Sequence, residues 1–132
     1  RIRNRAGIPI LVEGKKDRRA LQALEFTGSI ELVNRGWSME RLAGWFAEHH
    51  QNDKSKDGKA PLILLMDWDR TGGRLQSDLR RRLQALDIQV DEELRRVLSK
   101  VLKPETRVVE SLYSMVDELL EQIETFDYLE EE

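Results

Sequence analysis

Five consecutive apolar residues, Leu62-Ile63-Leu64-Leu65-Met66, follow Pro61 and run directly into Asp67-Trp68-Asp69. An apolar run without alternation is what a strand buried on both faces requires, and burial on both faces is the mark of a parallel sheet. A second run, Ile8 to Val12, ends in Glu13-Gly14. Between and after these runs lie segments with helical periodicity. Asp17 opens one in which Ala20, Leu21 and Leu24 share a face, with Gly28 closing it. Ser29 to Val33 reads as the next strand, and Asn34-Arg35-Gly36 as a turn. Ser38 caps a helix whose stripe is Met39, Leu42, Ala43 and Phe46. After Asp69-Arg70-Thr71-Gly72-Gly73, the residues Leu75, Leu79, Leu83 and Leu86 recur at helical spacing. Leu94, Val97, Leu98, Val101 and Leu102 follow, stopped by Pro104. Thr106 to Val109 reads as a fourth strand, and Met115 to Ile123 as a last helix. The polar stretch 51–60 reads as a loop. Strand and helix alternate, and parallel strands need such crossovers, so the expected fold class is α/β: a mainly parallel four-stranded sheet with helices on both faces.

In such sheets ligands sit beyond the carboxyl ends of the strands. Glu13 ends the first strand and Asp67 and Asp69 end the third, so three acids from distant positions reach one rim. Crowded carboxylates at a partly buried rim repel one another, and a divalent cation relieves the repulsion. Mg²⁺ takes hard oxygen ligands, keeps several waters and is held by one or two carboxylates plus substrate phosphates; Mn²⁺ is the natural substitute. Asp-x-Asp on extended backbone places two carboxylates on one side, about 7 Å apart by strand rise. Gly72 and Gly73 allow backbone to approach a phosphate, and the following helix start supplies unpaired N–H groups. Lys15, Lys16, Arg70 and Arg74 flank the centre as candidate phosphate contacts.

The stretches Ile10-Leu11-Val12-Glu13-Gly14-Lys15-Lys16-Asp17 and Leu64-Leu65-Met66-Asp67-Trp68-Asp69-Arg70-Thr71-Gly72 closely resemble the two signatures of Toprim domains. The resemblance covers roughly residues 8–112, leaving 113–132 as an acidic helix and tail on what reads as one domain. It is closest to small stand-alone archaeal Toprim proteins. It implies the compact Rossmann-like Toprim fold, Glu13 as general acid or base, and Asp67 and Asp69 as Mg²⁺ ligands. It also implies motif roles for Gly14, Asp17 and Gly36, that of Asp17 more structural than catalytic. The family acts in topoisomerases, bacterial-type primases, repair proteins and ribosomal-RNA-maturing nucleases. Here Thr71 stands where topoisomerases carry a third acid, and the tyrosines, Tyr113 and Tyr128, lie in or near the acidic tail. No cysteine is present for the zinc module of a primase. A metal-dependent endonuclease on RNA or DNA therefore leads. A non-catalytic nucleic-acid-binding or assembly subunit is the alternative, and a small-molecule phosphotransferase stays open without a nucleotide fingerprint.

Charge is divided along the chain. Residues 1–109 carry 22 bases against 16 acids, whereas residues 110–132 carry nine acids and no base. A basic body suits a polyanion, and the acidic tail could dock a basic protein or shield that body. Two adjacent histidines, His49 and His50, fit a helix end rather than a metal site. Trp37 and Trp45 are expected to pack on the core, and Trp68 to point away from the flanking aspartates. Arg80-Arg81-Arg82 is expected to span an exposed helix face, and Glu110 to serve a loop or cap. No apolar run is long enough for a bilayer and no signal pattern is present, so cytoplasmic residence is the expectation.

Overall fold

A computed structural model describes residues 1–50, 60–102 and 105–131. Its elements are α1 (Ile2–Arg5), β1 (Ile10–Val12), α2 (Lys15–Ala23), β2 (Ile30–Leu32), α3 (Met39–His50), β3 (Leu62–Leu64), α4 (Arg70–Ala85), β4 (Val90–Asp91), α5 (Glu93–Leu102), a 3-10 helix (Val109–Met115) and α6 (Val116–Glu131). The four strands form one sheet in the order β2-β1-β3-β4, every pairing parallel.

The apolar runs explain why β1 and β3 are central. Ile10 and Val12 of β1, with Ile63 and Leu65 from the β3 run, face a core built with α2, α5, the 3-10 helix and α6. Leu11, Leu62, Leu64 and Met66 face the other way, into a core shared with α3 and α4. Alternate residues thus serve opposite layers, and both layers are apolar because both are covered. Chain order makes the gap between β1 and β3 a switch point: from β1 the chain moves to one side through α2, then returns through α3 to the other. Loops leaving β1 and β3 therefore diverge to opposite faces and open a crevice at their carboxyl ends.

Several sequence expectations are corrected. The fourth strand is Val90–Asp91, which pairs with Leu62 and Ile63, and not Thr106–Val109. The latter is a turn leading into the 3-10 helix, with the Thr106 hydroxyl accepting from the Val108 N–H at 3.3 Å. Helix α2 ends at Ala23, with Leu24 as its C-cap and Glu25 following at φ 64, and not at Gly28. Helix α4 starts at Arg70, ahead of the two glycines, and the last helix runs on to Glu131. Ser38 does cap α3, its hydroxyl accepting from the Arg41 N–H at 3.1 Å. The polar stretch 51–59 and the stop at Pro104 fall outside the described residues.

Candidate functional site at the carboxyl ends of β1 and β3

Glu13 leaves β1 half-buried, and its position is fixed twice. Its carbonyl accepts from the Asn34 N–H beyond β2 at 2.9 Å, and its Oε1 accepts from the Asp67 N–H at 3.3 Å. Burial pushes its carboxyl above the usual range; the Asp67 N–H opposes this, the charges of Asp17 and Asp69 add to it, and Arg95 opposes it. Asp67 is held harder. Its Oδ1 accepts from the Val109 N–H at 2.6 Å. Burial nonetheless pushes the Asp67 carboxyl up to about 6, with the charges of Glu13, Asp17 and Asp69 adding to burial. A carboxyl near neutrality in a crevice marks a candidate site, because it can gain and lose a proton at working pH.

Asp69 has a different local duty. It is the N-cap of α4, with Oδ1 accepting from the Gly72 N–H at 2.7 Å. Gly72 is required there, since a Cβ would lie 2.1 Å from the Asp67 carbonyl oxygen. Its absent side chain brings the helix start against Asp67. Asp17, 7% exposed, sits in the first turn of α2 and accepts from the Gly14 N–H at 3.0 Å. Burial raises its carboxyl too, and the charge of Glu110 adds to this. Gly36 adopts φ +78, the left-handed turn that glycine permits without cost.

The crevice, of about 390 Å³, is lined by Glu13, Gly14, Lys15, Lys16, Asp17, Asn34, Asp67 and Glu110. Lys15 and Lys16 are therefore gathered with the acids. Arg70 and Arg74 lie exposed on the first turns of α4, outside that lining. Among the described residues no three acidic or histidine side chains are grouped to hold a metal ion. Glu13, Asp67 and Asp69 each accept from a backbone N–H through one carboxylate oxygen.

Two positioning residues escape simple pattern reading. Beyond Leu65, whose N–H still bonds the Leu11 carbonyl at 2.9 Å, the chain has left the ladder, and β4 pairs only with Leu62 and Ile63. Side chains take over its backbone hydrogen bonds. Arg95 donates from Nε to the Met66 carbonyl at 3.1 Å and from Nη2 to the Asp67 carbonyl at 2.9 Å. Gln76, 2% exposed, accepts from the Met66 N–H at 3.1 Å and donates to Glu92 at 3.0 Å. Glu92 in turn pairs with Arg80 at 3.0 Å. A signal for both existed. Arg95 stands three and seven residues before Leu98 and Leu102, and Gln76 stands likewise before Leu79 and Leu83. A polar side chain on the apolar stripe of a helix faces inward and must have a partner there.

Other side chains fall as follows. Trp68 is 6% exposed, packs in the α2 layer and donates from Nε1 to the Thr106 carbonyl at 2.7 Å. His49 lies in the last turn of α3, with Nδ1 2.8 Å from the Trp45 carbonyl. Arg81 and Arg82 pair with Asp78 within their own helix. The acidic α6 packs on the body through Leu119, Val116 and Ile123.

The comparisons with known proteins give kinship. A UPF0292 protein of Methanosarcina acetivorans is 30% identical over 119 residues, 88% of this chain and 74% of that protein. The chain belongs to the UPF0292 family. A UPF0292 protein of Methanosarcina barkeri is also 30% identical, over 86% of this chain and 72% of its own length. One from Thermococcus sibiricus is 29% identical over 80% of this chain. A solved protein structure from Aquifex aeolicus superimposes with TM-score 0.59 at 25% identity, covering 82% of this chain and 86% of that one. This supports the compact Rossmann-like arrangement for this UPF0292 chain. No protein-family model matches the chain.

Proposed function

We propose that this UPF0292 chain is a Toprim-type, Mg²⁺-dependent endonuclease on RNA or DNA, with Glu13, Asp67 and Asp69 as its acidic centre. The observation that carries the reading is the direct link between Glu13 and Asp67 at the switch point, with Asp67 pushed up to about 6 beside Lys15 and Lys16. The donor set fits Mg²⁺ or Mn²⁺ held by one or two carboxylates, with water and phosphate completing the shell; it does not fit a closed cage of three. When bound, the ion supplies Lewis-acid polarisation of a phosphate oxygen. Glu13, with its carboxyl raised, takes or returns a proton at the oxygen not engaged by Asp67. Lys15 and Lys16 neutralise phosphate oxygens of the entering strand. The proposed setting is the cytoplasm. Among the described residues no helix is long and apolar enough to cross a membrane.

The test is cleavage of single-stranded, duplex and hairpin RNA and DNA with Mg²⁺ or Mn²⁺. Glu13→Gln and Asp67→Asn should each lower cleavage about 100-fold or more while the fold persists. Full activity in both variants sinks the assignment.

A specific observation favours a second reading, a non-catalytic binding or assembly subunit: Asp69 is committed to capping α4, which weakens a three-acid centre. Here the exposed acids of α6 would meet a basic protein partner or shield the basic body. Replacing Glu118, Glu121 and Glu124 with Gln leaves the Asp127 contacts intact. An unchanged salt slope of nucleic-acid binding would remove the shielding role.

A further inference from the structure

We propose that a surface series of guanidinium groups and aromatic rings, Arg41, Trp37, Arg35, Trp45 and His49, is a stacking site for the unpaired bases of single-stranded nucleic acid leading into the crevice. The proposal deepens, and rests on, the nucleic-acid reading of the Glu13–Asp67 site. The groups touch in sequence. The Arg41 guanidinium lies 4.2 Å from the Trp37 ring centre, and that of Arg35 lies 5.1 Å from Trp37 and 5.7 Å from Trp45. The His49 ring stacks on Trp45 at 4.2 Å with an interplanar angle of 23°. The two indoles are 6.4 Å apart.

Core packing accounts for only part of this. Trp37 and Trp45 cover the α3 layer, yet both remain part-exposed, and Arg41 and His49 are exposed. Arg35 is neutralised by Glu31 at 2.9 Å, which leaves Arg41 as the outward cation. Guanidinium planes and imidazoles offer faces on which bases stack whatever the sequence, while Arg also meets the phosphate. Because the groups cover one another within the series, a base stacks on the exposed sides of Arg41 and His49, with the indoles as their support. Position points the same way. Arg35 directly follows Asn34, which lines the crevice with Lys15 and Lys16, so the series begins beside the crevice along the chain. In a duplex the base faces are occupied by their neighbours, so the site selects an unpaired strand.

The test uses the full chain with 12-nucleotide oligouridine RNA, oligothymidine DNA and a duplex of equal length. Tryptophan quenching reads binding, and the part of it lost in Trp37→Leu belongs to this surface. Arg41→Ala should leave the melting temperature unchanged, and Trp37→Leu keeps apolar cover on the core. Each should weaken single-strand binding about 5- to 100-fold, the effect of removing one stacked base. Wild-type affinity in both variants, equal losses for the duplex, or no binding of any oligonucleotide overturns the proposal. Loss of cleavage in Asp67→Asn with unchanged single-strand affinity in Trp37→Leu would retain the site's activity and discard the stacking surface alone. Whether RNA or DNA shows the larger loss identifies the strand.

Discussion

The two ends of the sheet are built on opposite electrostatic plans. At the amino end, Asn4 is fully buried and satisfied: its Nδ2 donates to the Ile8 and Ser29 carbonyls at 3.0 Å, and its Oδ1 accepts from the Gly28 N–H at 2.8 Å. Arg3 pairs with Asp91 and donates to the Ala60 carbonyl, while Arg1 pairs with Asp127 and reaches the Leu24 carbonyl. The segments that lead into β1, β2 and β3 are thus clasped by α1. At the carboxyl end, Glu13, Asp17 and Asp67 crowd together, and burial raises all three carboxyls. Satisfied polar groups at one end hold the fold; crowded acids at the other are held against their own preference.

The largest effect expected from breaking this contrast is at the clasp. Asn4→Ala removes three hydrogen bonds, although the Ser29 carbonyl keeps the Ile10 N–H at 3.0 Å, and should cost about 2–4 kcal/mol. Urea unfolding measures it. A loss under about 1 kcal/mol would show that α1 merely rests on the sheet. Gly28→Ala should destabilise for a related reason, since a Cβ there would lie 2.0 Å from the Asn4 carbonyl oxygen.

At the other end the sign reverses. Asp67 rises from 3.8 to about 6 on folding. The folded chain therefore holds that proton more tightly, and the stability it brings is complete below about pH 4 and lost as pH rises through about 6. Asp67→Asn keeps an acceptor for the Val109 N–H and removes the charge. With solvent screening at this half-buried position allowed for, it should stabilise the chain by roughly 1–2 kcal/mol at pH 7.5 and little at pH 4. Unfolding curves at the two pH values decide this. Added Mg²⁺ should raise the melting temperature of the wild type and not of Asp67→Asn.

This asymmetry also explains what can be read from the sequence. Continuous apolar runs ending in Glu13 and Asp67 announce central strands and the acids beyond them, because burial on both faces leaves no room for another pattern. The clasp is invisible there: α1 is four residues long, too short for periodicity, and its effect comes from Asn4 meeting chain 24 positions away. Strand β4, at two residues, carries no alternation, while the β-branched Thr106, Val108 and Val109 imitate a strand in what is a turn. Asp69 is legible as an acid at the rim but not as the cap of α4, since the helix starts before its apolar stripe does.

Arg95 tests whether the crowded end has a support of its own. Arg95→Met leaves the Met66 and Asp67 carbonyls without their donor and should cost about 1–2 kcal/mol. It also removes a charge that lowers the Glu13 titration. The Glu13 carboxyl should therefore titrate higher in the variant, read by carboxyl-carbon NMR. Arg95→Lys should restore the titration more fully than the stability, because one ammonium cannot reproduce the two-pronged contact. Loss of stability without movement of Glu13 would make Arg95 purely structural.

The smallest stability effect belongs to Lys15 and Lys16, exposed at the start of α2 yet lining the crevice. Lys15→Ala and Lys16→Ala should each change unfolding free energy by less than about 0.5 kcal/mol, as surface substitutions do. Nucleic-acid binding should respond differently. Removing one lysine–phosphate ion pair lowers the slope of log K against log salt by roughly 0.7 for a single strand and 0.9 for a duplex. Arg81→Ala, on an exposed face of α4 paired with Asp78, should leave that slope unchanged. If Arg81→Ala moves the slope as much as Lys15→Ala, the polyanion tracks the general basic surface and not the acidic rim. A slope that falls only for Lys15 and Lys16 assigns the strand to the crowded end of the sheet, where lysines beside crowded acids bring phosphate and carboxylate within reach of one another.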